Sequence, residues 1–224
     1  MLLRVRSKLV FSKFLSSSFS CLSNCKREVI PSERFSLTAK CTGLCRLKNT
    51  SITWKLFEKG HESNESISVW HLEDSLKLMI STKLSSRNIA FKRGKLLEGS
   101  SYRLTLTVQL PNGKYGWAAY QFKTVAAPSG GTCSGTQASG KPLGISLYIN
   151  CTGWNDKNKH LTYEFFHQVE DGNSHLLLYS TAPFANVLIP KFDSGEVDIK
   201  VVVINSFAMR TETSIRIQVR GNEI

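Results

Sequence analysis

The residue types that could do chemistry are few in this chain: six cysteines, five histidines and two glycine-rich runs. The cysteines are Cys21, Cys25, Cys41, Cys45, Cys133 and Cys151. Cys21 and Cys25 form one short pair and Cys41 and Cys45 another, with fifteen residues between the pairs. Four thiolates so placed could hold a tetrahedral zinc ion. In basic surroundings such a site would suggest nucleic-acid binding. The same even count equally suits disulfides in an oxidising compartment. The histidines, His61, His71, His160, His167 and His175, show neither the spacing of a zinc-protease helix nor a nucleophile elbow. The runs "SGGTCSG" and "ASGKPLG" lack the Gly-Lys-Ser/Thr ending that sets a lysine and a magnesium-binding hydroxyl at a phosphate. "NDKN", from Asn155 to Asn158, offers oxygen ligands but one carboxylate, too little for calcium. No catalytic residue, cofactor or small-molecule substrate is expected.

Three N-x-S/T sequons, at Asn49, Asn64 and Asn150, favour the secretory route. Each falls at an expected turn or strand end, where a glycan could project into water. The formal net charge of +12 is uneven: residues 1–60 carry 12 basic and 3 acidic groups, residues 61–127 carry 9 and 5, and residues 128–224 carry 8 and 9. A general nucleic-acid binder would be basic throughout. Here the excess sits at the N-terminus, where Arg4, Arg6, Lys8, Lys13, Lys26 and Arg27 could attract an acidic polysaccharide or an anionic lipid. The alternative is a basic tail with no ligand. Those same charges interrupt any apolar run, so residues 1–30 read as a disordered, Ser-rich segment or a targeting remnant. The chain itself reads as a fragment of a longer protein, extracellular or membrane-associated. No stretch reaches the roughly 20 apolar residues of a membrane-spanning helix.

From Phe35 onward the pattern has period two. Phe35, Leu37, Ala39 and Cys41 alternate; so do Ile52, Trp54 and Leu56, then Tyr102, Leu104, Leu106 and Val108. Asn112-Gly113 between two such runs signals a hairpin. "VWHLEDSLKLMIST", residues 69–82, fits either a helical face through Leu72, Leu76 and Met79 or an irregular strand pair. "AAPSGG", 126–131, reads as a linker, and about seven strands restart after it. Turn signals every 8–12 residues point to antiparallel sandwiches. The expected architecture is all-β, with two tandem fibronectin type III-like (immunoglobulin-like) β-sandwiches over 31–127 and 128–220 and a tail at 221–224. Trp54 and Tyr102 should be buried in the first, and Trp154, Tyr163 and Phe165 packed in or beside the second core. "LLEGSSYRL" around Tyr102 resembles a tyrosine corner.

One stretch is more specific. Gly130, Gly131, Cys133, Gly140, Cys151, Gly153, Trp154, Asp156, Leu161, Tyr163 and Phe165 reproduce a Gly-Gly-x-Cys, Cys, Gly-Trp-x-Asp, Leu-x-Tyr-x-Phe pattern. That pattern resembles the signature of the receptor-for-egg-jelly (REJ) module of polycystin-like receptors. "CTGLC…ITWKLF" is similar to that family's short cysteine pair and Trp strand, and the likeness covers residues 30–220. The resemblance implies a non-catalytic recognition or spacer module in the glycosylated ectodomain of a membrane receptor, in settings of adhesion, mechanosensing or gamete recognition. On that reading Cys133 pairs with Cys151 and Cys41 with Cys45, while Cys21 and Cys25 are the least determined pair. The alternative is an intracellular zinc-bound, nucleic-acid-binding protein using Cys21, Cys25, Cys41 and Cys45.

Overall fold

The computed structural model describes residues 15–26, 28–43, 49–60, 69–141, 144–157, 160–169, 172–190 and 195–220. The chain divides into two compact units, Met1–Val125 and Ala126–Ile224. Both are built from strands whose alternation buries one face.

In the first unit, β1 (Leu15–Ser23), β3 (Phe35–Gly43) and β6 (Asn88–Phe91) form one antiparallel sheet in the order β1-β3-β6. The second sheet runs β2-β8-β7-β4-β5, with β2 (Glu28–Val29), β4 (Ser51–Lys59), β5 (Trp70–Leu72), β7 (Ser101–Gln109) and β8 (Tyr115–Thr124). β2 lies parallel to β8; the other pairs are antiparallel. Inward residues of both sheets, among them Phe35, Leu37, Trp54, Leu56, Leu104 and Leu106, meet in one core. Trp54 is 2% exposed and Tyr102 1%. The indole Nε1–H of Trp54 donates to Ser86 O at 2.8 Å, so this large ring is buried without an unpaired donor. The β7–β8 turn closes at Asn112-Gly113, where Gly113 takes a left-handed φ of 81° and Leu110 N–H donates to Lys114 O.

Two expectations need correction here. The segment over 1–30 expected to be disordered or a targeting remnant contains a strand: residues 15–23 form β1, paired with β3 from Leu15↔Gly43 to Ser23↔Ser36. Phe19 packs its ring 5.8 Å from Trp54, which gives this Ser-rich strand its anchor. The 69–82 stretch is neither one helix nor a strand pair. It is β5, then a single helical turn α1 (Leu76–Met79) that buries Leu76 and Met79 while Leu72 stays exposed.

The second unit has a sheet ordered β13-β10-β9, from β9 (Thr132–Lys141), β10 (Gly144–Thr152) and β13 (Phe184–Pro190). Its other sheet is β12-β11-β14-β15, from β11 (Leu161–Gln168), β12 (Ser174–Ser180), β14 (Gly195–Asn205) and β15 (Arg210–Val219). Ile145, Leu147 and Ile149 face Phe165, Val197, Ile199 and Val201 across the core. Tyr163 and Phe165 are buried, and Trp154 packs beside the core half-exposed.

Candidate functional site

Seven signature residues of the second unit, Gly130, Gly131, Cys133, Cys151, Gly153, Trp154 and Asp156, gather at one corner, where the chain enters β9 and leaves β10, while Gly140 lies at the far end of β9 and Leu161, Tyr163 and Phe165 lie on β11. Antiparallel register puts Cys133 directly opposite Cys151, and a disulfide joins them with the Cα atoms 4.0 Å apart. Just outside it, Ser129 and Asn155 exchange backbone hydrogen bonds of 3.1 and 2.8 Å. Gly130 (φ 77°) and Gly153 (φ 74°) both take left-handed conformations that L side chains rarely adopt. Gly131 is required for a different reason: a Cβ there would overlap the indole ring of Trp154. The ring lies flat against this glycine. Its Nε1 is buried and, among the described residues, is the buried side-chain polar atom without a hydrogen-bond partner.

Asn205, at the end of β14 and 5% exposed, ties the corner to the rest of the unit. Its Nδ2 donates to Asp156 Oδ1 at 2.8 Å and to Ala126 O at 3.0 Å. Its Oδ1 accepts from Phe207 N at 3.0 Å and Met209 N at 3.1 Å. Four bonds satisfy the carboxamide fully. Asn205 carries no periodic signal of its own; the break it makes after "VVVI" was the available clue. Asp156 is thereby a hydrogen-bonding post for Asn205.

In the first unit Cys21 and Cys25 form a disulfide, Cα–Cα 5.6 Å, between the end of β1 and the turn after it. A cystine has no thiolate to give, so two of the four ligands that the zinc alternative needs are consumed. Among the described residues no group of three or more His, Cys, Asp or Glu stands close enough to hold a metal ion. Cys45, and hence the Cys41–Cys45 pairing, lies outside the described residues, as do Asn64 and the basic residues Arg4, Arg6, Lys8, Lys13 and Arg27. Asn49 is exposed in a turn at a left-handed φ of 66°. Asn150 projects from the outer face of β10.

A cleft of about 660 Å³ at one end of β11 and β14 is lined by His160, Glu164, Tyr179, Asn205 and Arg210. Glu164 and Arg210 pair across it at 3.4 Å, so its charges are turned on each other rather than into the space. The perturbed groups of the molecule tell the same structural story. Burial pushes the Tyr102 hydroxyl up to about 12, and burial also raises Tyr120 and Tyr163. Burial, and then the neighbouring His175, lower His167. Tyr102 Oη accepts from Leu97 N–H at 3.0 Å, the geometry of a tyrosine corner.

The REJ domain matches residues 12–223. The chain belongs to the REJ domain family. No curated protein matches it. Among solved structures it is similar to a marsupial T cell receptor, at 10% identity and a TM-score of 0.42, over 85% of this chain and 69% of that one. Seven of the eleven signature positions thus read as a backbone corner: two left-handed glycines, one glycine under an indole, one disulfide and one carboxylate held by Asn205. No helix among the described residues is long and apolar enough to cross a membrane.

Proposed function

We propose that this REJ chain is a non-catalytic extracellular recognition or spacer module, part of the ectodomain of a polycystin-like membrane receptor. The observation that carries the reading is the family match over nearly the whole chain. The disulfides Cys21–Cys25 and Cys133–Cys151 support it, because such bonds persist in oxidising compartments. Its two units are fibronectin type III-like sandwiches in tandem. The strand orders β13-β10-β9 and β12-β11-β14-β15 support that for the second unit, and the first differs by the extra β2 beside β8. Roles in adhesion, mechanosensing or gamete recognition follow from the family resemblance. A spacer must keep its shape under tension, and strands zipped into long antiparallel ladders with a covalent corner suit that task.

The test is to express the full chain through the secretory pathway and in the cytosol, and to compare intact mass, thiol count and metal content. The expected product of the secretory route carries N-glycan removable by glycosidase, has no reactive thiol among Cys21, Cys25, Cys133 and Cys151, and holds no zinc. Stoichiometric zinc in cytosolic protein, lost on changing Cys21 and Cys25, would overturn the reading.

A further inference from the structure

Of the sheet faces turned away from the two cores, one stands apart in its chemistry. In the second unit the outer face of β12-β11-β14-β15 is laced with charge: Arg216 bonds Asp198 at 2.8 Å, Arg210 meets Glu164 at 3.4 Å and Lys200 meets Glu212 at 4.0 Å. In the first unit Lys40 stands on the outer face of β3, and Arg103 stands on that of β7 with its guanidinium 4.3 Å from the Trp70 ring. The outer face of β13-β10-β9 is different. Its outward positions with described side chains include Thr132, Ser134, Thr136 and Ala138 on β9, Ser146, Tyr148, Asn150 and Thr152 on β10, and Phe184, Asn186 and Leu188 on β13. None is charged. Phe184 is 52% exposed, Leu188 48% and Tyr148 39%. A water-facing patch whose described side chains carry no charge, with Lys141 only at the far end of β9 opposite Gly144, and with an apolar strip beside small hydroxyl residues, is a surface that something covers.

The cover is coded on the strip itself. Asn150 is the cross-strand partner of Phe184, and Thr152 lies on the same outward face, so the whole Asn-Cys-Thr sequon presents its two reactive side chains outward. Asn150 is partly exposed on this face. We propose that Asn150 carries an N-linked glycan whose first sugars lie over the Tyr148–Phe184–Leu188 strip and shield it. In the transfer, Asn150 Nδ2 bonds the anomeric carbon of the first N-acetylglucosamine. That carbon's bond to the pyrophosphate of a lipid-linked oligosaccharide breaks, and one amide proton and the lipid pyrophosphate leave. Opposed side chains on paired strands stand with Cβ atoms about 5 Å apart, so the first sugar ring is within reach of the Phe184 ring. The C–H-rich face of a pyranose suits the π-face of an aromatic side chain, and its hydroxyls suit Ser134, Thr136 and Ser146. The ordinary occupants of such a strip, a second protein or an added strand, would collide with the glycan at its centre.

This inference rests on the secretory reading above, and the experiment separates the two. The full chain, secreted, is treated with glycosidase in ¹⁸O water, and labelled aspartate is located by peptide mapping. Label at position 150 is expected. Label at Asn49 or Asn64 but not at 150 would overturn the inference and leave the compartment reading intact. Reactive Cys133 and Cys151 with no glycan anywhere would sink both. Shielding is read separately: removing the glycan from folded protein should raise the fluorescence of a hydrophobic dye and lower the thermal midpoint by a few degrees. Phe184→Ser should remove most of that difference, and Leu176→Ser, on the other sheet, should not. A dye response unaffected by Phe184→Ser would show a glycan that does not cover the strip. Asn150→Gln and Thr152→Ala must behave alike, because both delete the sequon by different chemistry.

Discussion

The two units solve the same packing problem with different materials. The first is bound by rings: Phe35 lies 4.7 Å from Phe122 and 5.4 Å from Phe91, Tyr102 stacks on Phe122 at 5.4 Å, and Phe19 bridges Trp54 and Tyr120. The second is bound by branched aliphatics, with Val197, Ile199, Val201 and Val203 in one strand, and among the described residues its core has a single aromatic pair, Tyr163 and Phe165 at 6.4 Å. The polar fastenings follow suit. The first unit uses buried hydroxyls: Tyr102 at Leu97, Tyr120 donating to Cys25 O, and Thr124 donating to Leu97 O. The second uses a covalent tie and a carboxamide, Cys133–Cys151 and Asn205. In neither unit does a described disulfide cross from sheet to sheet; one joins neighbouring strands and the other closes a turn. Cohesion between sheets therefore rests on packing in both, and the cystines act on the unfolded chain.

The strongest break in that comparison is Trp54→Ala. It removes the largest fully buried ring and strands Ser86 O, and a loss of about 3–5 kcal/mol is expected. Hydrogen exchange should show β4 and β7 opening while β10 and β14 keep their protection. Equal loss of protection in both units would mean that they do not hold themselves together separately.

Next in size is Cys133→Ser with Cys151→Ser. The sequence separation of 18 closes a loop worth about 3 kcal/mol in the chain-entropy model. Denaturant unfolding should lose that amount with β9 and β10 still paired, since their ladder of hydrogen bonds remains. Removing Cys21–Cys25, a separation of 4, should cost less, about 2 kcal/mol by the same relation.

Tyr102→Phe sharpens the contrast in fastenings. It leaves Leu97 N–H without its acceptor, at a cost of about 1–3 kcal/mol. It also carries a pH signature. The Tyr102 hydroxyl titrates at about 12 in the folded state against 10.0 unperturbed, so the folded chain holds a proton that the unfolded chain releases. Its contribution is complete below pH 10 and is lost as pH climbs toward about 12. Alkaline unfolding of Tyr102→Phe should be shallower across that window than that of the parent. Identical alkaline slopes would place the titration elsewhere, at Tyr120 or Tyr163.

What the sequence revealed follows the same division of materials. Alternation marks strands wherever an apolar residue recurs at every second position, which is why β3, β4 and β7 could be read directly. β1 escaped because "LSSSFSCLS" carries its inward face largely on Phe19, and a serine-rich strand looks like a low-complexity tail. β2 escaped because two residues have no period. The Gly130–Gly131–Gly153–Trp154 corner was visible as a pattern but not as a mechanism. The reason Gly131 must be glycine lies in a ring that is distant in sequence.

The smallest expected effect on stability concerns the basic N-terminus, and the fold changes how it must be tested. Deleting everything before Pro31 would remove β1 and damage the first sheet, so any lost binding would have two causes. Replacing Arg4, Arg6, Lys8 and Lys13 with Gln removes charge and leaves Leu15–Ser23 in place. Thermal midpoints should be unchanged. On a heparin column the substituted chain should elute at lower salt if these four cations bind an acidic polysaccharide, because such contacts weaken as the Debye length falls from about 10 Å at 0.1 M toward about 3 Å at 1 M. The rest of the first unit keeps a basic balance: residues 15–127 carry 17 basic and 8 acidic groups, the 21 and 8 of residues 1–127 less these four. A column that does not distinguish the two proteins would assign the affinity to that remaining face and leave the N-terminal segment without a ligand.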